Sequence, residues 1–248
     1  MYQFFVEPEQ IDVAGKSVII RGNDVNHIKN VLRMRPGEEV AVSNGIDGRE
    51  YRCGILALEE DCVRLELRFI KEDGVELPAK IYLFQGLPKA DKMELIIQKA
   101  VELGAFQVIP VAMKRCVVKL DDKKADAKLK RWQGIAEAAA KQSKRGVIPT
   151  VAPVMHYAQA VKMASEMDLK LVPYELAEGM EQTKQFIESA KPGQQIAVFI
   201  GPEGGFDPEE IRIAKEAGIE PITLGKRILR TETAGFTTLA WLMYQLEK

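Results

Sequence analysis

After a polar linker at residues 71–74, the sequence repeats one pattern, in which a short apolar segment is followed by an amphipathic helix. The apolar segments are 81–84, 108–111, 169–173, 196–200 and 222–224. Parallel strands need crossover helices and are covered on both faces, so this alternation predicts a mainly parallel sheet between helices. We therefore predict an α/β domain over residues 73–248.

Two helices of this part have recognisable ends. The first lies between the first two apolar segments, and its apolar stripe at helical spacing ends at Gly104; the stripe consists of Met93, Ile96, Ile97, Ala100 and Val101. The second begins with Asp207 as N-cap, Pro208 at the first position and Glu210 at the third. This is a capping-box arrangement, which predicts a helix starting at residue 208.

Residues 1–72 follow a different pattern of short strands separated by turns. The alternation is clearest at residues 63–69, where one face is predicted to hold Val63, Leu65, Leu67 and Phe69. One helix is predicted near residues 24–34, with Asp24 as its N-cap and an apolar face of Val25, Ile28, Val31 and Leu32. These features predict a small β-barrel or sandwich domain over residues 1–72.

Composition excludes several classes of site. The cysteines, Cys53, Cys62 and Cys116, form no C-x-x-C pair, and His27 and His156 are far apart in the chain. We therefore expect no disulfide framework, no metal site and no serine-type triad. Because there is no basic leader and no apolar run near the ~20 residues that cross a bilayer, we expect a cytoplasmic chain without a membrane segment.

A glycine-rich turn follows the apolar segment 196–200 and leads into the helix capped by Asp207; it reads Gly201-Pro202-Glu203-Gly204-Gly205-Phe206. Glycines let a ligand approach the main chain, and the carboxyl end of a parallel strand is where open α/β sheets bind ligands. The spacing matches neither a P-loop nor a dinucleotide-binding fingerprint. The alternative is a tight turn that serves only the fold.

A second turn follows the last apolar segment and leads into the final helix; it reads Leu224-Gly225-Lys226-Arg227-Ile228-Leu229-Arg230-Thr231-Glu232-Thr233-Ala234. Thr231 or Thr233 can cap the final helix, which leaves amides of its first turn free for a ligand, and Arg230 adds a permanent cation. The alternative is a capped helix with solvated basic residues. Both turns follow parallel strands, so we expect them to converge.

Charge is distributed unevenly. The whole chain has a formal net charge of −1, whereas residues 114–145 contain eleven Lys or Arg and four Asp or Glu. Such clustering favours RNA over a solvated helix face, and the first domain has a smaller basic group. Candidate RNA-binding residues from both regions are Arg21, Lys29, Arg33, Arg35, Lys114, Arg115 and Arg145.

Together the two turns closely resemble the signature of the RsmE-type 16S ribosomal RNA uridine-N3 methyltransferases of the SPOUT superfamily. Residues 31–37, 99–104 and 137–145 also match, and the resemblance spans nearly the whole chain. Two positions depart from the family pattern: Gln3 stands where arginine is usual, which puts one RNA contact in doubt, and Lys141 stands where glutamate is common.

The resemblance implies a PUA-like RNA-binding β-barrel domain over residues 1–72. It also implies an α/β domain over residues 73–248 whose C-terminal segment is threaded into a trefoil knot. The implied cofactor is S-adenosylmethionine, and the implied partners are 16S rRNA of the small ribosomal subunit and a second copy of the chain. The implied cofactor-binding residues are Val172, Pro173, Tyr174, Glu175, Ile200, Gly201, Gly204, Gly205, Leu224, Gly225, Ile228, Leu229, Arg230, Thr231, Thr233 and Ala234.

Methylation of uridine N3 requires loss of its proton, so the site needs a base or a group that stabilises the uracil anion. Arg230 is suited to stabilising that anion, because a guanidinium donates hydrogen bonds and does not act as a base. Glu203 is the candidate base, or else it accepts hydrogen bonds from loop amides. Two other functions fit part of the sequence: a non-catalytic RNA-binding or ribosome-assembly protein, and an adenine-nucleotide enzyme, which the missing P-loop lysine and hydroxyl oppose.

Overall fold

A computed structural model describes residues 1–72, 74–177 and 179–248, without the side chain of Asp122. The chain divides into two compact units. Unit 1 is Met1–Glu76 with Ala140–Ile148, and unit 2 is Leu77–Ala139 with Pro149–Lys248. The division near residue 76 lies close to the predicted domain boundary, but residues 140–148 belong to unit 1 and not to the second domain.

Unit 1 is built on a six-stranded sheet in the order β1-β4-β5-β6-β3-β2. Only β1 and β4 pair in parallel; all other neighbours are antiparallel. The strands are β1 (Gln3–Phe5), β2 (Ile11–Asp12), β3 (Ser17–Arg21), β4 (Glu39–Ser43), β5 (Glu50–Leu58) and β6 (Cys62–Lys71). Alternate residues of these strands face one shared apolar core, except where the pairing of β5 with β6 is irregular.

The predicted alternation in β6 holds for Val63, Leu65 and Leu67, which are buried, but not for Phe69, which is 59% exposed. The register explains this correction. Leu67 pairs with Cys53 and Phe69 pairs with Arg52, so one extra residue of β6 stands between them. Such a bulge reverses which residues face the core beyond it.

The predicted helix near residue 24 is shorter and less regular than its apolar spacing suggests. An α-helical turn, α1 (Asn23–Asn26), continues as a π-helical turn over His27–Val31. Gly22 precedes the helix, so Asp24 is not its cap. The wider turn shifts the helical phase, and Val31 therefore lies exposed although it has helical spacing from Ile28.

Unit 2 is built on a seven-stranded sheet in the order β10-β8-β7-β12-β11-β13, with β9 also paired to β8. All of its pairs are parallel, as predicted. The strands are β7 (Lys80–Gly86), β8 (Gln107–Ala112), β9 (Thr150–Val151), β10 (Met155–His156), β11 (Leu169–Pro173), β12 (Gln195–Ile200) and β13 (Glu220–Ile222). The last strand ends at Ile222, so Thr223 and Leu224 belong to the loop.

Helices alternate with these strands. They are α2 (Lys92–Glu102), α3 (Asp122–Ser143), α4 (Tyr157–Ser165), α5 (Met180–Glu188), α6 (Pro208–Glu216) and α7 (Thr231–Leu246). The predicted apolar stripe of α2 is buried, and the predicted capping box of α6 forms between Asp207 and Glu210. No helix among the described residues is both long and apolar enough to cross a membrane.

Unit 1 contains a buried ion pair between Arg145 and Glu76. The Arg145 side chain is 5% exposed, and the Glu76 carboxylate also accepts the main-chain N–H groups of Gly146 and Val147. The prediction that Arg145 binds RNA is therefore wrong, because its guanidinium is enclosed within the unit. The ion pair holds residues 145–147 against Glu76, the last residue of the longer of the two stretches that form unit 1.

Arg145→Met should lower the free energy of unfolding by roughly 3 kcal/mol, because it leaves the Glu76 carboxylate partly buried without its cation. Urea denaturation followed by far-UV circular dichroism measures the change. Arg212→Met is the control, since Arg212 forms exposed pairs with Glu209 and Glu216. A loss for Arg145→Met no larger than that of the control would show that the buried pair contributes nothing.

Candidate functional site

Loops at one edge of the sheet in unit 2 enclose a cavity of about 460 Å³. Strands β7, β12, β11 and β13 are adjacent and parallel, so the loops at their carboxyl ends emerge side by side. The loops after β11, β12 and β13 supply most of the cavity wall. The two glycine-containing turns of the sequence are therefore brought together, as expected.

The cavity is lined by every predicted cofactor-binding residue except Val172 and Thr233. Val172 is fully buried in the core of unit 2, and Thr233 is exposed on α7. Sequence reasoning missed six further lining residues, which are Lys92, Pro202, Phe206, Thr223, Lys226 and Arg227. Among these, only Lys92 lies far in sequence from the other lining residues. Its position at the start of α2, soon after the end of β7, is the signal that could have identified it.

The loop after β12 owes its shape to Gly205, whose φ of 67° lies in the left-handed region. Its N–H group donates to the Pro202 carbonyl over 2.9 Å, which closes the turn. A Cβ atom at Gly205 would meet nothing within 4 Å, so this main chain borders open space. Phe206 is buried beside Tyr157 and anchors the end of the loop in the core.

The loop after β13 turns at Gly225, where φ is 101°. Its start is fixed by paired bonds, in which Thr223 N–H donates to Thr183 Oγ1 and Thr183 Oγ1 donates to the Thr223 carbonyl. Four residues of the loop are exposed, namely Lys226, Arg227, Ile228 at 85% and Arg230, whereas Leu224 and Leu229 are partly buried. Among the described residues no ion pair forms with the three cations of this loop, which are Lys226, Arg227 and Arg230.

Thr231 ties the two loops together. Its Oγ1 donates to the Gly201 carbonyl over 2.6 Å and accepts from Gln85 Nε2 over 2.9 Å. The prediction that Thr231 or Thr233 caps the last helix is wrong, because Arg230 occupies the N-cap position and makes no side-chain cap bond. The Thr231 hydroxyl instead links the ends of β7 and β12 to the start of α7.

Glu203 makes specific contacts within unit 2. Its Oε1 accepts the main-chain N–H of Lys89 over 3.1 Å and lies 3.1 Å from Lys92 Nζ. Partial burial pushes the pKa of Glu203 upward, but hydrogen bonds from its own and the Lys89 main-chain N–H groups and from Lys92 outweigh burial. Its pKa is therefore below the ordinary value, and the carboxylate is ionised at neutral pH.

The predicted RNA-binding residues Lys114 and Arg115 contact the glycine-rich loop and the start of α6 that follows it. Arg115 Nη1 donates to the Gly204 carbonyl over 3.1 Å, and Lys114 Nζ lies 3.1 Å from Asp207. A hydrogen bond from the Glu209 main-chain N–H, followed by the nearby cations of Lys114 and Arg115, keeps the pKa of the Asp207 carboxyl below its ordinary value. Lys114 and Arg115 therefore hold this loop and the start of α6, and their binding of RNA stays a prediction.

The candidate basic residues of unit 1 differ in their contacts. Arg21 pairs with Asp61 over 3.5 Å, and Lys29 Nζ donates to the Glu59 carbonyl over 2.8 Å. Arg33 and Arg35 are exposed, and no ion pair involves either of them in the part of the chain that the structure describes.

Comparison with known proteins identifies the family. The profile of an RNA methyltransferase domain matches residues 75–243, and that of an RNA methyltransferase PUA domain matches residues 20–67. The chain belongs to the RNA methyltransferase family. The two matches fall mainly in unit 2 and unit 1, so unit 1 is PUA-like and unit 2 is the methyltransferase domain.

Relatives of this methyltransferase match it over nearly its full length. The ribosomal RNA small subunit methyltransferase E of Bacillus subtilis is 38% identical, with 100% of this chain and 98% of the relative covered. The protein of that name from Mesomycoplasma hyopneumoniae is 33% identical, with coverage of 96% and 97%. A crystal structure of the Neisseria gonorrhoeae protein of that name, bound to S-adenosyl methionine, superposes with a TM-score of 0.84. Its sequence is 34% identical, and the match covers 98% of this chain and 97% of the Neisseria chain.

Thr231→Val should destabilise the methyltransferase by about 1–3 kcal/mol, because the Gln85 amide and the Gly201 carbonyl lose their buried partner. Thermal and urea unfolding measure the loss. Thr237→Val is the matched control on the same helix, since the Thr237 hydroxyl donates only to the Thr233 carbonyl at the surface. Equal stabilities of the two variants would contradict the role given to Thr231.

Proposed function

We propose that this RNA methyltransferase transfers a methyl group from S-adenosylmethionine to N3 of a uridine in 16S rRNA of the small ribosomal subunit. The observation that carries the proposal is the cavity of about 460 Å³ that both glycine-containing loops line together. The names of the full-length relatives support the rRNA substrate. The resemblance of the two loops to the uridine-N3 family supports the choice of atom.

The residues of the cavity fit S-adenosylmethionine. Its volume lies within the range of about 300–1000 Å³ typical of small-molecule sites. Ile200, Leu224 and Leu229 offer apolar contact for an adenine ring, and open space beside Gly205 leaves the main chain accessible to polar groups. The related Neisseria gonorrhoeae structure contains this cofactor, which supports the assignment. When bound, the cofactor supplies an electrophilic methyl group on a positively charged sulfur.

The protein must hold the base in line with the methyl group and stabilise the charge that develops on it. The N3–H proton passes to solvent, the N3 electron pair forms the new N–C bond, and the S–C pair returns to sulfur. Arg230 lies on the cavity wall at the N-cap of α7, exposed and without an acidic partner among the described residues. We assign it the stabilisation of the uracil anion.

The sequence leaves Glu203 two roles, that of a general base or that of an acceptor of hydrogen bonds from loop amides. A general base works best when its pKa is close to the working pH, and the pKa of Glu203 is shifted the other way. Its carboxylate is also already engaged by Lys89 N–H and Lys92. We assign Glu203 the role of a fixed anion on the cavity wall.

RNA is held by exposed cations. In unit 1, Arg33 and Arg35 lie in the domain related to PUA domains, and in unit 2, Lys226 and Arg227 lie on the loop beside the cavity. Unpaired cations suit phosphate contacts, which make affinity fall as salt rises. We also propose that the protein acts as a homodimer in the cytoplasm. The family resemblance supports the homodimer, and the rRNA substrate supports the location.

Isothermal titration calorimetry should detect S-adenosylmethionine binding by the wild-type protein, and Gly205→Val should weaken it by about tenfold or more, because the new side chain enters the cavity. Gly193→Val is the matched control, since Gly193 also has positive φ and open space around a Cβ. Absence of heat with the wild type would refute the proposed cofactor; equal affinities of the two variants would refute the placement of its site.

Arg230→Ala should lower kcat by about 10²–10³, the usual effect of removing one donor to a developing anion. Mass spectrometry of 16S rRNA after reaction measures N3-methyluridine. Arg212→Ala, on the exposed face of α6, is the control. Near-normal methylation by Arg230→Ala would remove this residue from the mechanism.

A further inference from the structure

An ionic cluster beside the cavity joins three segments that are distant in sequence; we call Lys92, Glu203 and Glu232 the Lys92 cluster. Lys92 Nζ lies 3.1 Å from Glu203 Oε1 and 3.4 Å from Glu232 Oε2. Lys92 begins α2, Glu203 lies in the loop after β12, and Glu232 lies in the first turn of α7. One ammonium group therefore bridges two carboxylates and fixes two of the segments that form the cavity.

The cluster depends on Lys92. The three side chains are only 30%, 26% and 14% exposed, for Lys92, Glu203 and Glu232 respectively. Glu232 Oε2 is buried and makes no hydrogen bond within the described residues. The nearby ammonium group of Lys92 therefore compensates the loss of hydration of this oxygen. Without Lys92, two largely buried carboxylates would lie near each other uncompensated, and each would disfavour the charge of the other.

Charge in the cluster does not cancel. One ammonium and two carboxylates leave one net negative charge within the cluster, while the exposed cations Lys226, Arg227 and Arg230 line the cavity from the loop after β13. The hydrogen bond with Glu203, followed by the attraction of Glu232, raises the pKa of Lys92 against the opposing effect of desolvation. Lys92 thus stays protonated at neutral pH, and Glu203 stays ionised. Other groups near Glu203 are Arg115, bound to the adjacent Gly204 carbonyl, and the Cys116 thiol.

We propose that Lys92 is a positioning residue that holds the Glu203 carboxylate at the cavity wall, where it attracts the positively charged sulfur of the methyl donor. The inference rests on the proposed function. It gives Lys92 no part in bond making. It predicts instead that the site distinguishes the cationic donor from the neutral thioether product, because a fixed anion favours only the former.

Lys92→Met tests the proposal, with Lys99→Met as the matched control on the same helix; Lys99 pairs with Glu102 over 2.7 Å. Without Lys92 the Glu203 carboxylate is not held at the cavity wall, so its attraction to the sulfonium group is lost. Calorimetry should then show about a tenfold lower affinity of Lys92→Met for S-adenosylmethionine, the size expected for losing one charge-assisted contact. Affinity for S-adenosylhomocysteine should change less than twofold. Lys92→Arg should restore the wild-type preference, and Lys99→Met should leave both affinities unaltered.

The pH dependence of binding gives a second measurement. Affinity for the cationic donor is present above the pKa of Glu203 and is lost as the pH falls through it. Lys92 lowers that pKa, so the acid limb of the affinity profile should begin at a higher pH in Lys92→Met. Equal losses for the donor and the product, or an unmoved acid limb, would show a merely structural role and overturn the proposal.

Glu203→Gln keeps the test decisive should Lys92→Met fail to fold, as judged by circular dichroism. This variant should reduce the preference for the cationic donor and abolish the acid limb, and an unchanged preference would overturn the proposal. If the wild type binds neither S-adenosylmethionine nor its product, the proposed function itself fails. If the wild type binds both and Lys92→Met matches Lys99→Met, only the inference about Lys92 fails.

Discussion

Hydrogen bonding between β7, β12, β11 and β13 fixes four neighbouring strands in one direction, and the site depends on this. Parallel pairing brings the carboxyl ends of all four strands to the same edge, so loops distant in sequence become neighbours. Thr231 then joins the start of the last helix to the loop after β12. Main-chain geometry therefore builds the cavity, and side chains add charge to it.

The main features of unit 2 could be predicted from local sequence. Its apolar segments, the stripe of α2 and the capping box at Asp207 are short-range patterns with a direct physical cause. The two loops were recognisable by their glycines and by their position after strands. Lys92 was not, because its role depends on Glu203 and Glu232, more than a hundred residues away. The trefoil knot stays a prediction, since periodicity does not reveal how a chain is threaded.

The predictions that failed did so for identifiable reasons. Phe69 and Val31 obey the right periodicity, but a bulge and a π-helical turn shift the phase just before them. Arg145 belongs to a strongly basic stretch, yet its charge is buried against Glu76. Charge counting along a sequence cannot show which cations are already paired, and several of those between residues 114 and 145 are.

The division of the chain has a consequence for how the protein is made. Unit 1 includes residues 140–148, where Val147 forms a bridge with Gly45 and the Arg145 carbonyl accepts a hydrogen bond from Gln3. During synthesis these contacts can form only after more than half of the chain has been translated. The first domain to begin folding is thus completed late, and a fragment cut at residue 72 lacks part of its own structure.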